Sequence, residues 1–223
     1  MKILVTGGAG YIGSHVVLDL LEADHDVIIL DDLSLGVELN IHSDAQFIFG
    51  STLDNEALKV CFRDQVDAVI HLAAFKAAGE SMTDPEKYSK NNISGTINLL
   101  NAMTDHGVHT FVFSSSAAVY GYPEYLPIDE DHPTDPINYY GFPKLVIESF
   151  LEWYGKLRGL KYVSLRYFNA AGYDPKGRIL GLEQNPANLL PIVMEVASGE
   201  RDKMEVFGDD GLPPVATGVR GQI

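Results

Sequence analysis

Lys2-Ile3-Leu4-Val5-Thr6-Gly7-Gly8-Ala9-Gly10-Tyr11-Ile12-Gly13-Ser14-His15 is a compact apolar run followed at once by glycines at positions 7, 10 and 13. The spacing is G-x-x-G-x-x-G. Such a run reads as a buried strand, and the glycines as a tight turn whose residues tolerate positive φ. Tyr11–Ala23 continues with Ile12, Val16, Leu20 and Ala23 three to four apart, the period of one helix face. A second apolar run, Asp26–Asp31, then ends in an acid. Strand, glycine turn, helix and strand in this order form a βαβ unit. Its turn brings backbone N–H groups and a helix N-terminus to one point, where a pyrophosphate is held without any basic side chain. Asp31 lies 18 residues past Gly13. It is placed to bond the ribose hydroxyls of an adenosine and to repel a 2′-phosphate, an effect that Asp32 reinforces, so NAD is expected over NADP.

The alternation continues outward from this unit. Gln46–Phe49, Asp67–Leu72, His109–Ser114 and Lys161–Arg166 read as strands. Asp54–Arg63 reads as a helix, and two long helices are predicted over Pro85–His106 and Tyr139–Arg158. The first long helix opens with Thr83-Asp84-Pro85-Glu86, a capping-box pattern with proline near the first turn, and presents Ile93, Ile97 and Leu100. The second presents Val146, Phe150, Trp153 and Leu157 and stops at Gly159. Strands alternating with helices imply a doubly wound parallel sheet of Rossmann type, an α/β fold. The character changes after Asn169, where Gly172, Pro175, Gly177, Gly181 and Pro186 mark loops. A helix is expected at Asn188–Ala197 and a short run at Met204–Phe207, with Gly208–Ile223 irregular. The organisation expected is a nucleotide-binding domain over residues 1–170 and a partial substrate-binding domain over residues 171–223.

The 223 residues include 16 basic and 31 acidic side chains, a net charge of −15. Nucleic acid and anionic membranes are excluded as main partners, because both need clustered Lys and Arg. No apolar run approaches the ~20 residues that span a bilayer. Cys61 is the single cysteine. No intrachain disulfide is possible, and a reducing, cytoplasmic home and a buried helical position for Cys61 are expected. No set of His, Cys and carboxylates has metal-ligand spacing. His71, at a strand end, reads as a core histidine.

Ser114-Ser115-Ser116 falls at the end of the fifth strand, on the carboxyl edge where such sheets bind ligands. Downstream, Tyr140 and Lys144 are four apart and share a helix face. A phenol has a reference pKa near 10 and is a poor base at neutral pH. A cation one turn away, with the positive ring of NAD, favours the phenolate. Ser116 then hydrogen-bonds the reacting hydroxyl. Ser116, Tyr140 and Lys144 are the catalytic candidates.

The fingerprint Val5–His15, with His71–Ser81, Phe113–Gly121 and Leu165–Asn169, resembles the extended short-chain dehydrogenase/reductases, and within them the epimerases that act at C4 of a UDP-hexose. The resemblance implies that Gly7, Gly10, Tyr11, Ile12, Gly13, Asp31 and Asp32 hold NAD. It implies that Leu72, Ala73, Ala74, Lys76, Asn91, Ser114, Tyr140, Lys144 and Phe168 flank the cofactor. Lys76, Ser116, Tyr140, Asn169, Asn188, Leu189, Glu205, Val206, Phe207 and Arg220 fall where the family holds the UDP-sugar. The implied reaction is removal of the 4-hydroxyl proton by Tyr140 with hydride passing from C4 to NAD, turnover of the 4-keto sugar, and return of hydride to the other face. A homodimer through the two long helices is also implied. Related dehydratases carry an Asp-Glu pair after the catalytic Thr. Here Ala117 and Ala118 stand there, and neither is an acid or a base, which disfavours dehydration.

Three places depart from the family pattern. Gly50-Ser51-Thr52 replaces a Gly-Asp whose acid contacts adenine. Pro143 falls between Tyr140 and Lys144, where it is harmless only in the first turn of the helix. Gly221-Gln222-Ile223 stands where the family continues into a longer segment. Two alternatives follow: a truncated relative that binds NAD without turning over sugar, and an epimerase of an N-acetylated UDP-hexose.

Overall fold

The computed structural model describes residues 1–181 and 189–205. Six parallel strands form one sheet: β1 (Lys2–Thr6), β2 (Asp26–Asp31), β3 (Gln46–Phe49), β4 (Ala68–His71), β5 (Thr110–Ser116) and β6 (Lys161–Tyr167), in the order β3-β2-β1-β4-β5-β6. The doubly wound α/β sheet expected from the sequence is present. The chain reverses its direction of travel between β1 and β4, where Thr6 pairs with His71, and a crevice opens there beyond the carboxyl ends.

Helix α1 (Tyr11–Glu22) covers one face of the sheet. Its Val17 packs with Ile3, Val5, Val27 and Ile29. On the other face lie α2 (Asn55–Cys61) and, after short helices α3 (Ala78–Ser81) and α4 (Pro85–Tyr88), the longer α5 (Gly95–Asp105) and α6 (Gly141–Arg158). Leu58, Leu99, Leu100, Met103, Ile147 and Leu151 from these helices close the larger core on Leu4, Val69, Phe111 and Phe113. Asp54 caps α2, accepting from the amides of Glu56 and Ala57, and Gly159 ends α6 at φ +69°. The predicted helix over 85–106 is continuous but carries a π-helical segment at Ser89–Ser94. α7 (Leu189–Ser198) buries none of its residues.

The buried faces of three helices differ from those expected. In α1 the buried residues are Gly13, Ser14, Val17 and Leu18, with Ile12, Val16 and Leu20 only half-buried. Close packing on the sheet selects small residues, which apolar periodicity does not register. In α5 the buried set is Gly95, Thr96, Leu99, Leu100 and Met103, while Ile93 and Ile97 are half-buried. In α6 the inner face is Pro143, Lys144, Ile147 and Leu151. The predicted stripe is the outer face, with Trp153 58% and Leu157 67% exposed. α6 thus has two apolar faces, and only one meets the sheet.

Pro143 sits in the first turn of α6, where a missing N–H breaks no helical bond. Asn138 satisfies this end, its side chain accepting from Gly141 N and its carbonyl from Phe142 N.

Cys61 is fully buried in the larger core, and burial pushes its thiol up to about 12. At pH 8 the native protein is expected to react with a disulfide reagent such as DTNB at least about 10³-fold more slowly than in denaturant, where one equivalent is released. Rapid native labelling overturns this placement.

Candidate active site

The glycine turn is fixed from several sides. Gly7 N donates to Leu30 O (2.9 Å) and Gly10 N to Gly7 O (3.2 Å). Gly7 has φ +75°, and a Cβ there would lie 2.6 Å from Ala73 N, so glycine is needed both for conformation and for the close approach of β1 to the chain leaving β4. A Cβ on Gly13 would stand 2.0 Å from Gly7 O. Gly10 caps α1 without a side chain, and the first helical bond is Ser14 N to Gly10 O (2.9 Å). The amides of the first turn therefore lack carbonyl partners one turn back and face outward as anion ligands. This backbone cradle fits a dinucleotide pyrophosphate.

Asp31 is buried at the end of β2. One carboxylate oxygen accepts from Ala9 N (3.0 Å) and the other from Leu33 N (2.9 Å). Burial raises its pKa, and the two amide bonds oppose that rise. Asp31 thus ties the glycine turn to β2, a role the fingerprint alone does not reveal. Asp32 is half-buried and accepts from Ser34 N (2.9 Å). Asn40, buried, donates to Ala9 O and Gly181 O and accepts from Gly181 N (2.7 Å). Tyr11 donates its hydroxyl to Gly172 O, and His15 accepts from Asp174 N (3.1 Å). Residues 172–181 therefore return from β6 across the glycine turn as a strap.

Below the crevice lies a buried polar chain. Thr96 donates to Asn92 O (2.6 Å), so it accepts from His71 Nε2 (2.8 Å). The other ring nitrogen then accepts from Thr6 Oγ1 (2.6 Å), which itself accepts from Ala73 N (3.4 Å). Every group has a partner only if His71 is neutral. Burial, with the nearby Lys144 charge, pushes its pKa down to about 3. His71 is a core histidine, as expected. In the π-helical segment, Asn92 clamps the Phe75 backbone, accepting from its N–H and donating to its carbonyl, both at 3.0 Å. Asn91 donates to Asn92 Oδ1 (3.2 Å). Asn92 carried no signal in the sequence, because a buried asparagine is defined by its partners and not by its spacing.

β5 runs two residues further than expected and delivers all three serines to its carboxyl end. Ser116 accepts from Ala118 N (3.1 Å), which caps the 3₁₀ turn Ala117–Val119. Tyr140 stands at the start of α6. Burial raises its phenol pKa, and interaction with the Ser116 hydroxyl opposes that rise. Lys144 is 3% exposed and donates to Ser114 O (2.6 Å), with its ammonium 5.9 Å from the Tyr140 ring centre. Burial pushes its pKa down to about 8. A Cβ on Gly141 would lie 2.4 Å from Ala118 O, so this glycine lets α6 meet the turn after Ser116 and sets Tyr140 on its partner. The structure brings Ser116, Tyr140 and Lys144 into one cluster, with a base candidate, a hydroxyl and a buried ammonium.

The remaining predicted residues divide into two groups. Leu72, Ala73 and Ala74 follow β4 and are half-buried, while Lys76 is exposed. Phe168 follows β6 and stacks at 6.3 Å on Tyr120, and Asn169 beside it is exposed. These lie along the carboxyl edge with the cluster. Leu189 and Glu205 are exposed, on a stretch whose described hydrogen bonds stay within residues 189–205. Glu205 faces Lys203 at 3.7 Å. Asn188, Val206, Phe207 and Arg220, half of the run at 204–207, and the irregular stretch 208–223 lie outside the described residues. Ser51 accepts from Leu53 N (3.2 Å) and Thr52 is buried against Gly95, so both departures from the Gly-Asp pattern serve the turn before α2.

This geometry has close relatives. The chain is 46% identical over 227 residues to the UDP-glucose 4-epimerase of Streptococcus mutans, covering 100% of this chain and 68% of that protein. It is 50% identical over 212 residues to that of Halalkalibacterium halodurans, covering 94% and 63%. The crystal structure of UDP-glucose 4-epimerase from Bifidobacterium longum in complex with NAD⁺ and UDP superposes with a TM-score of 0.90 at 39% identity, over 99% of this chain and 69% of that one. The chain thus spans about two thirds of the length of the relatives it matches, 63–68% for the two sequences. The model of the NAD dependent epimerase/dehydratase family matches residues 3–213, and the chain belongs to that family.

Proposed function

We propose that the chain is an NAD-dependent 4-epimerase that interconverts UDP-glucose and UDP-galactose, a step of galactose metabolism. The observation that carries this reading is the Ser116–Tyr140–Lys144 cluster, whose Ser116 is followed directly by Ala117 and Ala118. It holds a base and its charge partner but no second acid or base to expel water. A bound nicotinamide supplies the hydride acceptor and donor at the sugar C4. Tyr140 holds and returns the proton of the 4-hydroxyl, Ser116 orients that oxygen, and Lys144 supplies the positive charge that favours the phenolate. Gly7, Gly10 and Gly13 let the backbone approach the pyrophosphate, and Asp31 faces the ribose. The cofactor- and sugar-contacting roles expected for the other residues named above belong to the same proposal.

Residues 1–170 form the nucleotide-binding domain in this reading, and residues 171–223 belong to the substrate-binding domain. The outer apolar face of α6, with Phe142, Trp153 and Leu157 all exposed, supports a homodimer through the long helices. A lone buried cysteine fits a reducing cytoplasm. Among the described residues no helix is long and apolar enough to cross a membrane.

Heat denaturation of the purified protein is expected to release about one dinucleotide per chain. The native protein is expected to convert UDP-galactose to UDP-glucose with no added NAD. Dinucleotide release without conversion at any sugar concentration overturns the catalytic reading in favour of a binding relative. Conversion of UDP-N-acetylglucosamine alone moves the substrate to the acetylated sugars.

A further inference from the structure

One side chain outside the cluster joins the two elements that build it, α6 and β5, to the neighbouring strand β6. Glu148 is on α6, one turn beyond Lys144. Its side chain is 12% exposed and forms a two-point pair with Arg166 of β6, accepting from Nε at 3.1 Å and from Nη2 at 2.7 Å. The oxygen that meets Nε also accepts from Ser115 Oγ of β5. Ser115 and Arg166 are register partners across β5 and β6, so one carboxylate locks the two strands and the helix at a single level. Ser115 lies between Ser114, whose carbonyl accepts from Lys144, and Ser116, whose hydroxyl caps the turn after β5 and opposes the rise of the Tyr140 pKa.

We propose that Glu148 is the positioning residue of the Ser116–Tyr140–Lys144 cluster: held by Arg166, its carboxylate pins Ser115 and so fixes the two site atoms on either side of it. This rests on the function proposed above. A half-buried two-point guanidinium–carboxylate pair has a defined direction, unlike a single contact. It sets the rotation of the Ser115 side chain, and through it the backbone that presents Ser114 O and Ser116 Oγ.

Glu148 has a second effect, through charge. Lys144 faces Tyr140 on the turn before it, Glu148 on the turn after it, neutral His71 on β4, and the Phe113 ring and Ser114 carbonyl on β5. Arg166 on β6 reaches it only through Glu148. Of these, Glu148 is the group that opposes the fall in the Lys144 pKa caused by burial. Without that negative charge the ammonium is lost at lower pH, and with it the field that favours the phenolate.

The test uses the full chain labelled with ¹³Cε-lysine, the Lys144 signal being the one absent from Lys144→Met. In the unsubstituted protein its midpoint is expected at about 8. In Glu148→Gln, which keeps the shape and removes the charge, it is expected to move down by about one pH unit. The alkaline limb of kcat is expected to move down with it, and kcat to fall at least about tenfold with KM changed less than about threefold. Ser115→Ala is expected to lower kcat while leaving the Lys144 midpoint in place, separating the pin from the charge. An unmoved Lys144 midpoint in Glu148→Gln, or full kcat in Ser115→Ala, overturns the proposal. If the unsubstituted chain turns over no sugar, the proposed function fails while the lysine titration still decides whether Glu148 sets the charge of Lys144.

Discussion

Tyr140→Phe is expected to lower kcat for UDP-galactose conversion by about 10²–10⁴-fold, the usual worth of a positioned acid–base group. Dinucleotide content is expected to stay at the unsubstituted level. The substitution removes one oxygen and keeps the ring beside Lys144. It takes away a burdened group: burial raises the Tyr140 pKa, opposed by interaction with the Ser116 hydroxyl. The phenol is therefore protonated at rest, and its proton leaves only when positive charge is close. Lys144 supplies part of that charge and, with its own pKa pushed down to about 8, keeps most of it at neutral pH. A phenylalanine has no proton to hold in either protonation state, and KM is expected to change little. Steady-state rates with dinucleotide quantified after denaturation make the measurement. Undiminished turnover removes Tyr140 from the chemistry.

Gly13→Ala is expected to reduce dinucleotide content at least tenfold and to destabilise the fold by about 1–3 kcal/mol, the range for overpacking a close contact. The new Cβ would meet Gly7 O at 2.0 Å, Gly8 Cα at 2.8 Å and Gly7 C at 2.9 Å. All three are backbone atoms, so no rotamer change relieves the clash. The turn is itself tied to Leu30 O and to the Asp31 carboxylate. α1 must therefore tilt away from the sheet, and its first-turn amides move with it. Gly79→Ala is the control, because a Cβ there meets nothing within 4 Å. Thermal melting and released dinucleotide, read on both variants, test the contrast. Equal behaviour of the two shows that the close approach at Gly13 is not needed.

The sequence carried the positions of the strands and of the cluster along the chain because both rest on local signals. β1, β2 and β3 have the bounds that their apolar runs imply. Tyr140 and Lys144 share a face because four residues make about one helical turn. The interior faces of the helices were less legible. α1 approaches the sheet through Gly13 and Ser14, and α5 is lined by Thr96 beside its leucines. Residues chosen for small size or for a buried hydrogen bond do not register as apolar. On α6 the larger side chains point away from the sheet, so periodicity marked the outer face. Glu148, Asn92 and Asn40 were invisible for a different reason. Each acts through partners far along the chain, such as Gly181, 141 residues from Asn40, and no window of local sequence contains both ends.

The strap over the glycine turn bears on how the molecule is made. The turn at residues 7–13 leaves the ribosome well before the strap that covers it. The carbonyl that receives the Tyr11 hydroxyl belongs to Gly172, 161 residues later, and Asn40 waits as long for Gly181. The lip of the nucleotide crevice is thus closed by some of the last residues of the described fold to be synthesised. Contacts of such long sequence separation form slowly, because a large loop must close before they stabilise anything. A nascent chain that already contains every glycine of the fingerprint still presents an open crevice until residues 172–181 follow.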